Sequence, residues 1–146
     1  MAIMTNIVAA DEEEAEALGM SDRPVDEWTG MEVRDINAEK LATLHCLLSG
    51  DDFEEALAAY EPIYDAVEDE GPLVVRIPDE IMSRLAEFEE ETLEQIGEEL
   101  AATEEFEIEG WPVEDVQALL VALGDLARLA ESQGQVMFAW MYPLPS

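Results

Sequence analysis

The chain has 146 residues, of which 37 are acidic and 6 basic, and its formal net charge is −31. A hydrophobic content of 49% excludes a disordered polyanion, and this length suffices for one domain with its own core. Direct nucleic-acid binding and attachment to an anionic membrane surface are excluded, because both need clustered cations. The cations instead occur singly, as Arg23, Arg34, Lys40, Arg76, Arg84 and Arg128.

The termini and the single cysteine indicate a cytoplasmic protein. Cys46 has no partner for an intrachain disulfide, which suits a reducing compartment. Residues 1–10 carry no positive charge and run into an acidic stretch, unlike a signal peptide. We expect one domain over residues 1–146, with 142–146 as a tail. Residues 1–10 are expected either to contain a short strand, over 2–9, or to be partly flexible or non-native.

Short elements separated by turns are predicted after that strand. Residues 11–18 predict an acidic helix, whose carboxylates lie at the favourable N-terminal end. A loop over 19–30 contains Pro24 and ends at a glycine. Residues 31–36 alternate in the manner of an edge strand.

Two helices should follow the edge strand. Asn37 caps a helix that ends at Gly50. The apolar face of this helix comprises Leu41, Leu44, His45 and Leu48. Asp52 and Glu55 have the spacing of a capping box for a second helix over 53–60.

The chain then predicts an acidic turn over 68–71 and its clearest middle strand, over 73–77. Pro78 opens a helix that we expect to continue to about residue 102. A connector over 103–110 should include a short extended piece at 106–108.

The last two elements are a helix and a strand. Trp111 and Pro112 open a helix dense enough in apolar residues to be largely buried, and Gly134 ends it. Residues 135–141 predict a central strand, because both of its faces are apolar. Strands mixed with long helices predict an α+β fold, in which a small single-layer sheet packs against several helices, two of them long and in the C-terminal half.

Two segments carry signatures of a known family. The run Leu44-His45-Cys46-Leu47-Leu48-Ser49-Gly50 is similar to the end of an LHxLLTG-type helix in the small bacterial YfbM-like family. Residues 71–80, a strand after Gly-Pro that runs into a helix started by proline, resemble its next signature. The resemblance extends over roughly residues 31–141 and implies an α+β fold. It implies no catalytic set, since the function of the family is unsettled. The chain departs from the family in its compressed segment between residues 50 and 71 and in its acidity.

Catalytic and metal chemistry find little support in the residues. A lone His45 on an apolar helix face is usually a satisfied core residue. Cys46 is its neighbour, and adjacent helical positions point about 100° apart, which makes a poor nucleophile–base pair. One His and one Cys cannot supply a zinc or di-iron site, and Asp51–Glu55 lacks EF-hand spacing. We expect no cofactor, no metal and no enzymatic activity.

The sharpest feature is a run of glutamates at three- and four-residue steps in the helix predicted after Pro78. These residues repel one another, and no lysine relieves them. They are Glu87, Glu90, Glu91, Glu94 and Glu98. Trp28, in the loop over 19–30, is a candidate aromatic anchor for the same partner. Trp111 is instead expected to cover one end of the core, and Trp140 and Phe138 to lie within it.

The acidic run has two explanations. As a binding surface it would attract a basic protein partner, such as a toxin or a nucleic-acid-binding protein, in an immunity, inhibitor or nucleic-acid-mimic role. As adaptation to a salt-rich or acidic-proteome host it would belong to a YfbM-like domain of unknown activity. Charge spread over 11–16, 51–55, 65–70, 87–99 and 104–109 favours the second explanation. We take the non-enzymatic partner-binding role as the leading hypothesis, with an enzyme that uses carboxylates as a third.

Overall fold

A computed structural model of the chain describes residues 3–21, 23–60, 64–65 and 73–143. The predicted acidic turn over 68–71 and the Gly-Pro pair before the middle strand lie outside the described residues.

Five strands form an antiparallel sheet in the order β2-β1-β5-β4-β3. They are β1 (Ile3–Ala10), β2 (Thr29–Arg34), β3 (Tyr64–Asp65), β4 (Leu73–Arg76) and β5 (Val136–Pro143). β5 is the central strand, as its two apolar faces predicted, and β2 lies at an edge, as its alternation predicted. Residues 3–10 are therefore part of the sheet interior, with Ile7 opposite both Met31 and Ala139.

The helices are α1 (Ala15–Gly19), α2 (Ala38–Ser49), α3 (Phe53–Ala58), α4 (Asp79–Glu87), α5 (Glu90–Ala101), α6 (Glu104–Glu107) and α7 (Val113–Ser132). The capped start of α2 is confirmed, because the Asn37 side chain accepts a hydrogen bond from Lys40 N. The capping box at Asp52 is wrong: α3 begins there without a side-chain cap. The α+β class is confirmed.

The long helix predicted from Pro78 to about residue 102 is divided at Phe88. That residue has extended dihedrals, φ −72° and ψ 139°, so α4 ends at Glu87 and α5 begins at Glu90. Arg128 of α7 satisfies carbonyls freed by the break: its Nη2 donates to Phe88 O at 2.6 Å and its Nε to Ala86 O at 3.1 Å. A contact 40 residues away in the chain thus stabilises an interruption that local spacing does not reveal.

The extended piece predicted at residues 106–108 is also wrong. Residues 104–107 form the single turn α6, which buries the Phe106 side chain. The Phe106 ring meets Trp111 edge to face, with centroids 5.4 Å apart. Burial of this aromatic residue sets the local conformation.

Both faces of the sheet are covered. The larger helices cover one face, and their core includes Ile7, Val75 and Met137. The chain between β1 and β2 covers the other, where Leu18 packs in a cluster with Phe138 and Trp140. The prediction that Phe138 and Trp140 are core residues is confirmed.

Candidate protein-binding surface

Helix α5 separates apolar from acidic side chains. Leu93, Ile96 and Leu100 are buried against the core. Gly97 brings α5 close to α7, because a Cβ atom at this position would lie 2.7 Å from Gln117 Cα. The opposite side of α5 carries exposed carboxylates, and we call it the acidic face: Glu90, Glu91, Glu94, Glu98 and Glu99.

The structure unites four of the five predicted glutamates, since Glu90, Glu91, Glu94 and Glu98 share α5. Glu87 is exposed at the end of α4, beyond the break at Phe88, so one continuous stripe does not form.

Trp28 lies apart from the acidic face. It is partly buried and packs with the cluster on the sheet face opposite the larger helices. Its Nε1 donates to Glu14 Oε2 at 2.8 Å. The geometry therefore places Trp28 as a cover of the sheet, on a different face from α5.

Ion pairs of the described residues lie away from the acidic face. Arg23 contacts Glu32 at 3.0 Å, and Arg76 contacts Glu12 at 2.7 Å. Hydrogen bonding between Arg23 and Glu32 lowers the pKa of Glu32 and raises that of Arg23. The remaining pairs of arginine and lysine are Arg23–Asp26, Lys40–Glu109, Arg76–Asp79, Arg84–Glu80 and Arg128–Asp125, and His45 lies beside Asp51. Within residues 3–21, 23–60, 64–65 and 73–143, no cation pairs with a carboxylate of the acidic face.

A groove of about 520 Å³ runs between α5 and α7. Its apolar lining comprises Ala118, Val121 and Ala122. Carboxylates from both helices line it, and we call it the acidic groove: Glu90 and Glu94 on α5, Glu114 and Asp125 on α7. Gln117 joins the two helices here, because its Nε2 donates to Glu94 O at 3.0 Å. The acidic face therefore continues into a concave, partly apolar surface.

A second cleft, of about 620 Å³, lies between β2 and α7, and we call it the β2–α7 cleft. Its apolar lining comprises Met31, Val33, Trp111, Pro112 and Leu119, and its charged lining Arg34, Asp35, Glu109 and Asp115. Ala118 and Ala122 line both this cleft and the acidic groove, so the two adjoin across α7. The cleft was not predictable from the sequence, because its walls come from segments far apart in the chain.

Lys40 contacts residues on both sides of this cleft. Its side chain is only 3% exposed and forms an ion pair with Glu109. The Nζ also donates to Asp35 O at 2.6 Å and lies 5.8 Å from the centre of the Phe106 ring. Asp35 itself has a φ of 63°, and its side chain accepts a hydrogen bond from Ile3 N. These contacts fix the end of β2 relative to the chain before α7.

His45 is the satisfied core residue that its helix position predicted. Its Nδ1 lies 3.3 Å from Tyr60 Oη and its Nε2 lies 3.0 Å from Asp51 Oδ2. A ring that accepts at Nδ1 and donates from Nε2 satisfies both contacts. Burial raises the pKa of the Tyr60 phenol, and burial with nearby carboxylates raises the pKa of the Cys46 thiol. Neither group is activated as a nucleophile.

Among the described parts of the chain, no three His, Cys, Asp or Glu side chains converge as a metal site requires. No helix in those parts combines the length and apolarity needed to cross a bilayer.

Comparison with known proteins yields a structural similarity. No protein-family model matches the chain, and no curated protein matches it. The structure is similar to "The Crystal Structure of a Protein of Unknown Function YfbM from Escherichia coli", with a TM-score of 0.46 and 14% sequence identity. The match covers 97% of this chain and 99% of that one. That protein is described as one of unknown function, so the similarity assigns no activity.

Proposed function

We propose that this protein is a non-enzymatic interaction protein that binds and neutralises a basic protein partner. The observation that carries the proposal is the acidic face of α5, whose exposed glutamates meet none of the cations in the described chain. An immunity or inhibitor role, in which the carboxylates imitate a nucleic-acid backbone, is the concrete form.

Electrostatics supports this role in two ways. Glutamates four residues apart on one helix destabilise it by a few tenths of a kcal/mol per pair, and a cationic partner would relieve that repulsion. A one-signed surface also raises the association rate with an oppositely charged partner, and this effect weakens as salt shortens the screening length. Binding should therefore be fast and sensitive to salt.

The acidic groove also offers apolar surface to a partner. Its apolar lining of Ala118, Val121 and Ala122 gives a partner apolar area to bury beside the carboxylates of α5 and α7. Apolar contact at the centre with charges around it is the usual arrangement of a protein interface.

The competing proposal, a domain whose acidity adapts it to salt, has an observation of its own. Exposed carboxylates also occur far from α5, including Glu13, Glu16, Glu54 and Glu55. Under that proposal all surfaces are equivalent, and no single face is preferred by a partner.

The test compares two variants of equal net charge. One replaces Glu90, Glu91, Glu94 and Glu98 with Gln, and the control replaces Glu13, Glu16, Glu54 and Glu55 with Gln. The wild-type chain captures basic proteins from a host lysate at low salt, and each captured protein is purified and titrated against all three chains. We expect the α5 variant to bind about tenfold or more weakly and the control to bind within about threefold of wild type. Equal loss in both variants, or no capture, would contradict the proposal.

A further inference from the structure

We propose that the β2–α7 cleft receives an extended basic segment, which pairs with the free edge of β2 as an added strand. The proposal rests on the proposed function, because it states how the same basic partner is held.

Among the described residues, no strand pairs with the outer edge of β2. β2 is an outer strand of the sheet, and its register with β1 is antiparallel. Asp35 N donates to Ile3 O at 2.7 Å, so the backbone groups of Asp35 and of every second residue before it point towards β1. Since alternate residues of an antiparallel strand bond to the same neighbour, the intervening N–H and C=O groups point outward. These outward groups belong to Gly30, Glu32 and Arg34.

The described residues leave that edge uncovered. No backbone group in them donates to or accepts from the outward groups of β2. Gly30, Glu32 and Arg34 are exposed, and even the inward-facing Met31 and Val33 are only partly buried. An exposed row of unpaired backbone groups is a template for another strand.

The cleft beside this edge suits the side chains of such a strand. Side chains of an added strand would alternate between the helix-covered face and the opposite face of the sheet. On the helix-covered face they would enter the β2–α7 cleft, where Met31, Val33 and Leu119 offer apolar contact. The cleft therefore favours apolar side chains at every second position.

The charges around β2 select a basic segment. On the cleft side, the carboxylates of Asp35, Glu109 and Asp115 outnumber two cations, the buried Lys40 and the exposed Arg34. On the opposite face, Asp26 and Glu32 outnumber Arg23, which contacts both. Beyond Ala118 and Ala122 lies the acidic groove, so negative charge continues past the cleft. The occupant that fits is an extended segment in which basic and apolar residues alternate.

The experiment uses a synthetic peptide of alternating Lys and Val as the probe. Its control is the same peptide N-methylated at alternate residues on the edge that would pair with β2, which retains charge and removes backbone donors. Titration at low salt should show the unmodified peptide binding the wild-type chain about tenfold more tightly, because several backbone hydrogen bonds contribute.

Two variants of Arg34 test whether the preference for the unmodified peptide arises at the edge of β2. Arg34→Pro removes an outward N–H group at a position where an edge strand tolerates proline, and it should abolish the preference for the unmodified peptide. Arg34→Ala removes the same charge, retains the N–H group, and should keep the preference with slightly tighter binding. Thermal unfolding checks that both variants fold, and the peptide comparison on the wild-type chain is independent of either variant.

The outcomes separate this inference from the proposed function. Equal binding of both peptides that is weakened by Gln at Glu90, Glu91, Glu94 and Glu98 would overturn strand addition and leave the proposed function intact. A preference that survives in Arg34→Pro would also overturn strand addition. Failure of both peptides to bind at low salt would overturn both proposals.

Discussion

Replacement of Lys40 tests how the cleft is held together. The Lys40 side chain is 3% exposed, whereas its partner Glu109 is 40% exposed. Removing one member of a fully buried pair costs about 3–5 kcal/mol, mostly from the charge left behind. Here water can solvate the remaining Glu109 carboxylate, so that part of the cost is small.

The expected magnitude is built from the other contacts of Lys40. Its charged hydrogen bond to Asp35 O contributes about 1.5–3 kcal/mol. Burial of its methylenes contributes about 0.8 kcal/mol for each. Lys40→Ala loses three methylenes and the hydrogen bond and should lower the free energy of unfolding by about 4–5 kcal/mol. Lys40→Met retains most of the packing, loses the hydrogen bond, and should lower it by about 1.5–3 kcal/mol.

Urea denaturation followed by circular dichroism and tryptophan fluorescence measures both variants, and equal slopes establish that they unfold alike. Glu109→Gln and the double variant Lys40→Met/Glu109→Gln complete a cycle that isolates the ion pair. If Lys40→Ala lies within about 0.5 kcal/mol of wild type, Lys40 does not brace the cleft and this reasoning is refuted.

Three further predictions follow from individual contacts. Because the pKa of the Cys46 thiol is raised, alkylation of the native chain by iodoacetamide should be slow at pH 8 and accelerate above the ordinary thiol range; rapid reaction at pH 8 would contradict that environment. Because burial raises the pKa of Tyr60, absorbance at alkaline pH should show this phenol ionising only with unfolding, and a reversible ionisation of every tyrosine near the ordinary pKa in the folded chain would refute this. Arg128→Ala removes two donors to the carbonyls at the α4–α5 break and should cost about 1–2 kcal/mol in urea denaturation, whereas an Asp125→Asn control, which keeps both donors, should cost under about 0.5 kcal/mol.

The pKa directions of Glu32 and Tyr60 determine how the stability of the fold depends on pH. Glu32 has a lowered pKa in the folded chain, so its contribution to stability is present above its unfolded pKa and is lost as the pH falls through its folded pKa. Tyr60 has a raised pKa, so its contribution is present below its unfolded pKa and is lost as the pH rises through its folded pKa. Acid therefore removes the stabilising contribution of Glu32, and alkali removes that of Tyr60.

Local pattern predicted the features that depend on nearby residues. The two apolar faces of residues 135–141 gave the central position of β5, and Asn37 gave the start of α2. The break at Phe88 was not predictable locally, because the guanidinium that satisfies its carbonyls belongs to Arg128. The spacing of Glu87 from the later glutamates consequently predicted one stripe where two helices occur.

The candidate site also has features that the sequence predicts and features that depend on tertiary packing. The exposure of four glutamates on α5 follows from the spacing of Leu93, Ile96 and Leu100, which a sequence displays. The β2–α7 cleft depends on strand order and on where α7 lies across the sheet, which no local pattern encodes. Trp28 was selected for its loop position, and its hydrogen bond to Glu14 depends on the packing of the chain over the sheet.

Carboxylate footprinting tests the central claim most directly. Exposed carboxylates are labelled with glycine ethyl ester in the free chain and in its complex with the purified partner, and mass spectrometry compares each site. We predict that the partner protects Glu90, Glu91, Glu94 and Glu98 and leaves Glu13, Glu16, Glu54 and Glu55 labelled as in the free chain. Protection spread equally over both sets, or confined to the second, would contradict the assignment of the acidic face of α5 as the binding surface.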